Sequence, residues 1–441
     1  MRHEIDTVII GGGQAGLAMS YHLTKQGRPH IILEKGVIGE TWLRKRWDSF
    51  HLVTPNWMLQ MPGFPYQGND PDGFLTRDDV VIYLRHYASL IDAPVRYEAV
   101  HKVGIAPHQP NTYLVETDKH TYEASHVIIA TGAFQQPKIP YLSEAITKQV
   151  QQIHSSHYQN PNKLPAGNVL VIGTGQSGSQ IAKELHEAGR NVFLAVSSCG
   201  RCPRTYRGKD GIWWFNQMGL YERTPDMLPS AKARTACTPH TSGRNGGEEI
   251  NLRQFARDGI KLVGRFQDAA GTRIVFADDL QDNLDKADQF AWTIMKRVDD
   301  YVQKHGLDVP EDDLMQRDQE LATDEIETVR ALDLIEEGIT TIIWATGYKP
   351  DYSWIDVPVF DHKGFPVHER GVTGSPGLYF VGLPWLHKQK SPLIIGVGPD
   401  AEYIAERMHE KAQLVNHKNI METNKLEQMS DQQRNSSYAT A

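Results

Sequence analysis

The chain has 441 residues, of which 40% are hydrophobic and 23% are charged, and its formal net charge is −8. This length accommodates two or three domains, and the composition is that of an ordinary soluble globular protein. The negative charge argues against nucleic acid as the main partner, and three cysteines are too few for a disulfide framework. No run of about eighteen apolar residues is available to span a membrane. A cytoplasmic location without an integral membrane segment is therefore expected.

The N-terminal sequence DTVIIGGGQAGLAMSYHLTKQGRPHIILEK predicts a strand at Val8–Ile10, a glycine turn, a helix over Gln14–Gln26 and a strand at His30–Leu33. The turn has the G-x-G-x-x-G pattern, which brings a pyrophosphate close to the backbone and to the free N–H groups of the helix. Glu34 ends the second strand, where a carboxylate accepts hydrogen bonds from ribose hydroxyls. The predicted dinucleotide-binding residues are Gly11, Gly13, Gln14, Ala15, Gly16, Glu34 and Lys35.

A helix and several strands are predicted after this unit. The segment 74–90 (FLTRDDVVIYLRHYASL) predicts a helix, and 93–103 (APVRYEAVHKV) predicts a strand region. The segment 126–134 (HVIIATGAF) predicts an apolar strand that stops at Thr131 and Gly132.

A second glycine pattern repeats the first, in NVLVIGTGQSGSQIAKELHEAGRNVFLAV. Strands at Val169–Ile172 and Val192–Val196 and a helix that ends near Glu187 surround it. No acid stands at the position equivalent to Glu34. Serines and then arginines follow, and these would bind a ribose 2′-phosphate that a carboxylate would repel. NADPH is therefore expected at Gly173, Gly175, Gln176, Ser177, Gly178, Ser197, Ser198, Arg201 and Arg204.

Cys199 and Cys202 have the C-x-x-C spacing of thiol oxidoreductases. In those enzymes the pair begins a helix, whereas Pro203 disfavours helical geometry at Cys202. We interpret the stretch SSCGRCPRTYRG as a 2′-phosphate site with incidental cysteines, and a redox disulfide is the alternative.

The remainder of the chain is less regular. An acidic stretch from Asp278 to Glu337 predicts a solvated surface with short helices, and TIIWATGYKPD at 341–351 predicts a strand that matches the one at 126–134. The polar residues 421–441 are expected to be disordered.

Two nucleotide sites in this order resemble the two-dinucleotide-binding-domain flavoproteins, and residues 4–410 resemble the class B flavoprotein monooxygenases. The resemblance is carried by GETWLRKRWDSFHLVTP (39–55), MPGFPY (61–66), HSSHYQNP (154–161) and HKQKSPLIIGVGPDAEYIAE (387–406). It implies an α/β fold of two Rossmann-like dinucleotide-binding domains, with the NADP domain inserted into the FAD domain. The expected boundaries are 1–160 and 339–420 for the FAD domain, 161–338 for the NADPH domain and 421–441 for the tail.

The resemblance also assigns individual residues. It implies flavin contacts at Thr41, Trp42, Arg46, Trp47 and Val100. It implies chain crossings between the domains at Ala130, Thr131 and Gly132 and again at Ala345, Thr346 and Gly347. His154 and Tyr158 keep the spacing of the family fingerprint F-x-G-x-x-x-H-x-x-x-[YF], although its Phe and Gly positions are Lys148 and Val150 here. We expect this pair to order the linker.

The implied activity is NADPH-dependent monooxygenation. FAD takes hydride from NADPH, the reduced flavin forms a C4a-(hydro)peroxide with O2, and one oxygen atom enters a small organic substrate at nitrogen or sulfur. Asn56 is the catalytic candidate, a turn residue being its alternative reading, and no metal is expected. The alternatives are Baeyer–Villiger oxygenation of ketones, disulfide reduction by Cys199 and Cys202, and a non-enzymatic FAD/NADPH sensor. A homodimer is left open.

Overall fold

The computed structural model describes residues 2–107, 109, 112–230, 233–234, 236–410 and 413. The predicted disorder of 421–441 lies outside these residues. Within them, no helix combines the length and the apolar character needed to cross a membrane.

The first glycine loop follows a central strand of a mixed sheet. Its centre is parallel, because Arg2–Ile10 pairs in parallel with both Thr121–Ile129 and His30–Glu34. Val8 and Ile9 are fully buried, as expected for a parallel strand covered on both faces. The described strands, in spatial order, are Ile355–Asp356, Val100–Ile105, Tyr113–Thr117, Thr121–Ile129, Arg2–Ile10, His30–Glu34 and Val95–Tyr97, with Leu378–Phe380, Val372–Thr373 and His368–Glu369 branching from Thr121–Ile129.

An all-parallel sheet surrounds the second glycine loop. Its described strands, in spatial order, are Gln151–His154, Ile339–Trp344, Asn168–Ile172, Val192–Ala195 and Lys261–Val263. In the sequence, all of these strands fall between Thr121–Ile129 and Ile355–Asp356, which belong to the first sheet. The predicted α/β fold with one dinucleotide-binding unit inserted into another is therefore confirmed. Gln151–His154 and Ile339–Trp344 lie outside the predicted range 161–338, so the inserted sheet extends beyond both predicted boundaries.

Helices and small sheets complete the described chain. The α-helices are Gln14–Lys25, Glu40–Arg44, Arg77–Leu90, Gln176–Glu187, Gly211–Gln217, Leu252–Asp258, Leu280–His305, Leu314–Leu321 and residues 394–410. Among the antiparallel pairs, Arg273–Phe276 pairs with both Phe266–Ala270 and Ala331–Asp333. The other pairs are Thr205–Tyr206 with Lys209–Asp210, Tyr348–Lys349 with Gln136–Pro137, and Gln60–Met61 with Phe64–Pro65. Short 3-10 turns lie at Asn56–Met58, Tyr141–Ala145, Ser155–His157, Pro161–Lys163, Leu220–Glu222, Pro225–Met227 and Arg244–Gly246.

The acidic stretch after Asp278 differs from its prediction. Instead of several short helices it begins with one long helix, Leu280–His305, whose Ala291, Met295 and Val298 pack against the buried Trp214. Apolar residues recur at helical spacing along this face while the acidic residues take other faces, which is the pattern of an amphipathic helix on a core.

Arg201 joins this helix to the rest of the inserted unit. Its side chain is 1% exposed, and its Nε lies 3.0 Å from Oδ1 of Asp288 on the long helix. The same guanidinium contacts Glu249 at 3.3 Å and also pairs with Asp318. Arg253 pairs with the other oxygen of Asp288, at 2.7 Å. The prediction that Arg201 binds a 2′-phosphate is therefore wrong, because carboxylates surround its guanidinium in the protein interior.

Arg204 is also buried and engaged within the protein. It donates to the carbonyl of Val53 at 2.9 Å and to that of Ser242 at 3.2 Å, and it pairs with Asp210. Its guanidinium lies over the Phe74 ring, 4.8 Å from the centroid. The prediction of a phosphate contact fails here as well, since these contacts fix Arg204 between two segments.

Replacing Arg201 by Met should reduce the free energy of unfolding by about 3–5 kcal/mol, because Asp318 would remain buried without its cation and Asp288 would keep only Arg253. Urea denaturation measures the loss. Arg330→Met is the matched control: Arg330 and Asp278 form an exposed pair, so its effect should stay below about 1 kcal/mol. Equal effects for the two variants would contradict the structural role of the buried cluster.

Candidate functional site

The first glycine loop is shaped by close backbone contacts. Gly11 has φ +114°, and a Cβ added there would lie 2.6 Å from the carbonyl oxygen of Ala130. A Cβ on Gly16 would lie 1.9 Å from the carbonyl oxygen of Gly11. In contrast, a Cβ on Gly13 would meet nothing within 4 Å in the described part of the chain. The loop thus packs tightly against the sheet while its middle glycine faces open space, which fits the cradle for a pyrophosphate.

Glu34 ends its strand beside this loop, as predicted. The side chain is 9% exposed. Its Oε2 accepts the backbone N–H of Gly12 at 2.7 Å, and its Oε1 accepts that of Gly36 at 2.9 Å. These bonds hold the carboxylate at the carboxyl end of the sheet, where its remaining lone pairs suit the ribose hydroxyls of a nucleotide.

A cluster of aromatic side chains stands against the same loop. The indole Nε1 of Trp42 donates to Oε1 of Gln14 at 3.3 Å. The Arg46 guanidinium lies over the rings of Trp42, Phe50 and Phe134, at 5.7, 5.5 and 5.0 Å from their centroids. Burial lowers the pKa of Arg46 from its ordinary value. Trp42, Arg46 and Gln14 are therefore brought together, and their contacts with flavin stay a prediction.

Other predicted flavin residues have different environments. Trp47 is 3% exposed and packs edge-on against Phe50, so its contacts are those of a core residue. Lys35 and Thr41 have exposed side chains. Val100 begins the strand Val100–Ile105 and stays a prediction as an adenine contact.

Asn56 has a structural environment. Its side chain is 3% exposed, its Nδ2 donates to the carbonyl of Asp70 at 2.9 Å, and its Oδ1 accepts the N–H of Leu75 at 2.8 Å. Both ends of the amide are used to fold the loop over residues 70–75. The structure therefore contradicts the catalytic prediction. It also contradicts the predicted local turn, because the hydrogen-bond partners of Asn56 are Asp70 and Leu75, which are distant in the sequence.

The second glycine loop copies the first. A Cβ on Gly173 would lie 2.7 Å from the carbonyl oxygen of Ala345, and one on Gly178 would lie 1.9 Å from that of Gly173. The helix Gln176–Glu187 follows directly. Gln176 and Ser177 are half-buried in its first turn, and Ser198 is exposed.

Thr174 is a loop residue that the sequence pattern did not identify. It is fully buried, its Oγ1 donates to the carbonyl of Ser197 at 3.0 Å, and the same oxygen accepts the N–H of Ser197 at 2.9 Å. The residue type at the x position of G-x-G does not by itself indicate a functional residue. In this chain, however, it ties the loop to the end of the neighbouring strand and fixes the backbone at Ser197.

The crossing segments and the linker meet at these loops. Ala345 donates its N–H to the carbonyl of Ile172 at 2.8 Å, just as Ala130 donates to Ile10 at 2.9 Å. Nε2 of His154 lies 3.0 Å from the carbonyl oxygen of Gly347, and Nδ1 accepts the N–H of Ser156 at 3.1 Å. Burial lowers the pKa of His154, and the two contacts are those of a ring that donates from Nε2 and accepts at Nδ1.

Tyr158 provides the second anchor of the linker. Its hydroxyl donates to Oε2 of Glu184 on the helix Gln176–Glu187 at 3.0 Å, and Ser49 donates to the other oxygen at 2.8 Å. Burial raises the pKa of both Tyr158 and Glu184. Together, these contacts support the expectation that His154 and Tyr158 order the linker.

No cluster of potential metal ligands occurs among the residues that the structure describes. The N–H groups and glycine cradles of the two loops fit nucleotide phosphates and a cofactor pair of the dinucleotide type.

His240 should make the stability of the protein sensitive to pH. Burial lowers its pKa to about 4, and its Nε2 contacts the carbonyl of Thr174. Because the unfolded chain takes up this proton near pH 6.5 and the native state does so near pH 4, stability is lost as the pH falls between these values. His240→Asn should weaken the dependence of unfolding free energy on pH between 7 and 5 by about 2 kcal/mol.

Urea denaturation at the two pH values measures this change. His101→Asn is the matched control, since His101 is an exposed histidine. An unchanged pH dependence in His240→Asn would show that the pKa of His240 is the same in the native and the unfolded state.

Known proteins share this architecture. Residues 8–206 match the family described as pyridine nucleotide-disulphide oxidoreductase. An uncharacterized CzcO-like oxidoreductase from Geobacillus kaustophilus is 35% identical over 92% of this chain and 98% of its own length. A flavin-containing monooxygenase from Stenotrophomonas maltophilia aligns with TM-score 0.62 at 21% identity, covering 93% of this chain and 99% of its own. A bacillithiol disulfide reductase from Bacillus cereus aligns with TM-score 0.59 at 16% identity, covering 93% and 100%.

The two solved structures establish the fold, and the curated relative establishes the family. The predicted resemblance is thereby confirmed. The chain belongs to the CzcO-like oxidoreductases of the class B flavin monooxygenase-like family, whose cofactors are FAD and a nicotinamide nucleotide.

Proposed function

We propose that the chain is an FAD- and NADPH-dependent monooxygenase that transfers one atom of O2 to a nucleophilic nitrogen or sulfur of a small organic substrate. The observation that carries the proposal is the presence of two glycine loops of the same construction, at Gly11 and Gly173, each following a parallel strand in one of two sheets of the chain. Bound flavin supplies hydride acceptance and reaction with O2. In the overall reaction NADPH, O2, a proton and the substrate give NADP⁺, water and the oxygenated substrate.

The residues of the first loop divide the work of holding the flavin nucleotide. Gly13 leaves room for the pyrophosphate, and the start of the helix Gln14–Lys25 directs N–H groups toward it. Glu34 accepts hydrogen bonds from the ribose hydroxyls. Trp42 contacts Gln14, and Arg46 packs over Trp42. The amide Nε2 of Gln14 donates a hydrogen bond to the carbonyl of Pro392 at 3.3 Å. The segment before the last helix therefore closes on the same loop.

A buried apolar cluster continues from this closing segment. Leu393 and Ile395, one and three residues after Pro392, pack against this cluster. The described members of the cluster are Met58, Cys202, Ile212, Phe215, Tyr221 and Ile294, with Trp57, Met218, Leu220, Leu393 and Ile395 packed against them. This packing keeps water out of the interior beside the closing segment.

The environment of Cys202 disfavours the disulfide reductase alternative with Cys199 and Cys202. Cys202 is 2% exposed, its Sγ lies 3.5 Å from the carbonyl oxygen of Pro203, and burial raises its pKa. A redox C-x-x-C pair needs an accessible thiolate. Cys199 contacts a different cysteine, Cys237. The oxygenase is therefore the better supported function.

NADPH remains the proposed electron donor. The proposal no longer depends on Arg201 and Arg204 and now depends on Ser197 and Ser198. Ser197 and Ser198 follow the strand Val192–Ala195 at the place where Glu34 ends its strand in the first sheet. Without a carboxylate there, a 2′-phosphate meets no like charge. A cytoplasmic location and a homodimer stay predictions from the sequence.

Turnover under isotopically labelled O2 tests the reaction. FAD-loaded protein supplied with NADPH and a panel of tertiary amines, sulfides and ketones should place one labelled oxygen atom in an amine or sulfide product, as mass spectrometry detects. Labelled esters from the ketones would instead select Baeyer–Villiger oxygenation. Oxidation of NADPH without a labelled product from any substrate would contradict monooxygenation and favour the sensor alternative.

Gly13→Val provides the loop control for that experiment. The added side chain meets open space and should leave the fold intact, but it fills the place of the pyrophosphate, so flavin absorbance should be lost after gel filtration. Gly374→Val is matched, because a Cβ at Gly374 also meets nothing within 4 Å of the described chain. Full flavin retention by Gly13→Val would contradict the assignment of the first loop.

Ser197→Asp should move the preference from NADPH toward NADH. A carboxylate at this strand end repels the 2′-phosphate and binds the ribose hydroxyl, so the ratio of kcat/KM values for NADH and NADPH should rise about tenfold or more. Steady-state oxidation of NADH and NADPH measures this ratio. Ser197→Asn is the control that has nearly the size of aspartate but carries no charge. An unchanged ratio in Ser197→Asp would show that the 2′ position lies elsewhere.

A further inference from the structure

The three cysteines are arranged differently from their spacing in the sequence. The Sγ atoms of Cys199 and Cys237 are 2.8 Å apart, with the thiol of Cys199 donating. Cys199 is buried after the strand Val192–Ala195, and Cys237 is exposed in the segment 236–241. The chain thus brings one accessible and one enclosed thiol into direct contact, which is the geometry from which a disulfide forms without large movement.

Cys237 stands over the second glycine loop. A Cβ on Gly175 would lie 3.4 Å from its Sγ, whereas one on the equivalent Gly13 meets nothing within 4 Å of described atoms. Otherwise the two loops match closely, at Gly11 and Gly173. The space that is open over the first loop is therefore filled by a thiol over the second.

The segment around Cys237 is also bonded to the start of the helix Gln176–Glu187. Thr241 donates its N–H to Oε1 of Gln176 at 3.0 Å, and Nε2 of Gln180 donates to the carbonyl of Thr241 at 2.7 Å. Cys237 has a hydrogen bond with the backbone of Gln176. Because a nucleotide pyrophosphate uses the N–H groups at such a helix start, this segment and the nucleotide compete for one place.

Backbone contacts keep the two thiols in register. His240 donates its N–H to the carbonyl of Gly200 at 2.8 Å, and Cys202 donates to the carbonyl of His240 at 3.0 Å. Residues 199–202 and 237–240 therefore run side by side, with Cys202 buried on the far side of this pairing against Pro203. Cys237 is held beside Cys199.

The two thiols differ in acidity. The hydrogen bond from Cys199 lowers the pKa of Cys237, and the backbone of Gln176 lowers it further against the effect of burial. The contact with Cys237 and burial raise the pKa of Cys199. The exposed sulfur is thus the one more easily ionised, as required of the thiol that meets an oxidant first.

We propose that Cys199 and Cys237 form a reversible, peroxide-sensitive disulfide that locks the segment 236–241 over the second glycine loop and closes it to the nicotinamide nucleotide. The thiolate of Cys237 attacks one oxygen of hydrogen peroxide, whose O–O bond breaks to give a sulfenic acid and, after protonation, water. The sulfur of Cys199 then attacks that of Cys237, the S–O bond breaks, and a second water leaves. Two thiols lose two electrons and two protons, and the peroxide is reduced.

Peptide mapping tests the thiol pair. After treatment of the FAD-loaded protein with hydrogen peroxide, non-reducing mass spectrometry should find a Cys199–Cys237 linked peptide, and titratable thiols in the unfolded protein should fall from the three of the sequence to one. Cys202→Ser should still form the link, whereas Cys199→Ser and Cys237→Ser should not. No link, or a link between Cys199 and Cys202, would overturn the proposal.

Nucleotide affinity tests the closure, which rests on the proposed function. The oxidised protein should bind NADPH at least about tenfold more weakly than the reduced protein, and dithiothreitol should restore the affinity. Cys199→Ser and Cys237→Ser should bind NADPH alike before and after peroxide. A disulfide that forms without change in affinity would overturn the closure. If the reduced protein binds neither NADPH nor NADH, the proposed nucleotide site fails, and the linked peptide still decides the thiol pair.

Discussion

Each nucleotide loop depends on one backbone contact, in which a glycine lies against the carbonyl group of an alanine at the end of the neighbouring strand. Gly11 lies against Ala130, and Gly173 lies against Ala345. Any larger residue would push the strand end away from the loop and would also be strained at these positive φ angles. The tight turn, the start of the helix and the crossing of the chain are therefore set by the same contact.

This dependence explains why the loops were predictable. A strand, a glycine turn and a helix are encoded within about thirty consecutive residues of a βαβ unit. The helix Gln14–Lys25 ends one residue before its prediction, and Gln176–Glu187 ends where it was expected. Glu34 followed from its place at the end of a strand. The two βαβ units and the insertion of one sheet into the other followed from the repeat and from the family resemblance.

The arginines show where local sequence is insufficient. The stretch around Arg201 looks basic by itself, but Asp288 and Asp318 are supplied from distant helices and neutralise it in the interior. Asn56 likewise finds its partners in the loop over residues 70–75. Cys199 pairs with Cys237 across an irregular region rather than with its neighbour in C-x-x-C spacing. In each case the partner is chosen by tertiary folding, which spacing does not encode.

The order of strands in the inserted sheet has a consequence for the growing chain. Asn168–Ile172 lies between Val192–Ala195 and Ile339–Trp344. During synthesis its first neighbour emerges soon, but the second emerges only after the long helix has been made. Until then the apolar strand keeps one unpaired edge, which can pair with another chain. This edge therefore stays open until residue 344 has left the ribosome, and the length of that interval is set by topology rather than by composition.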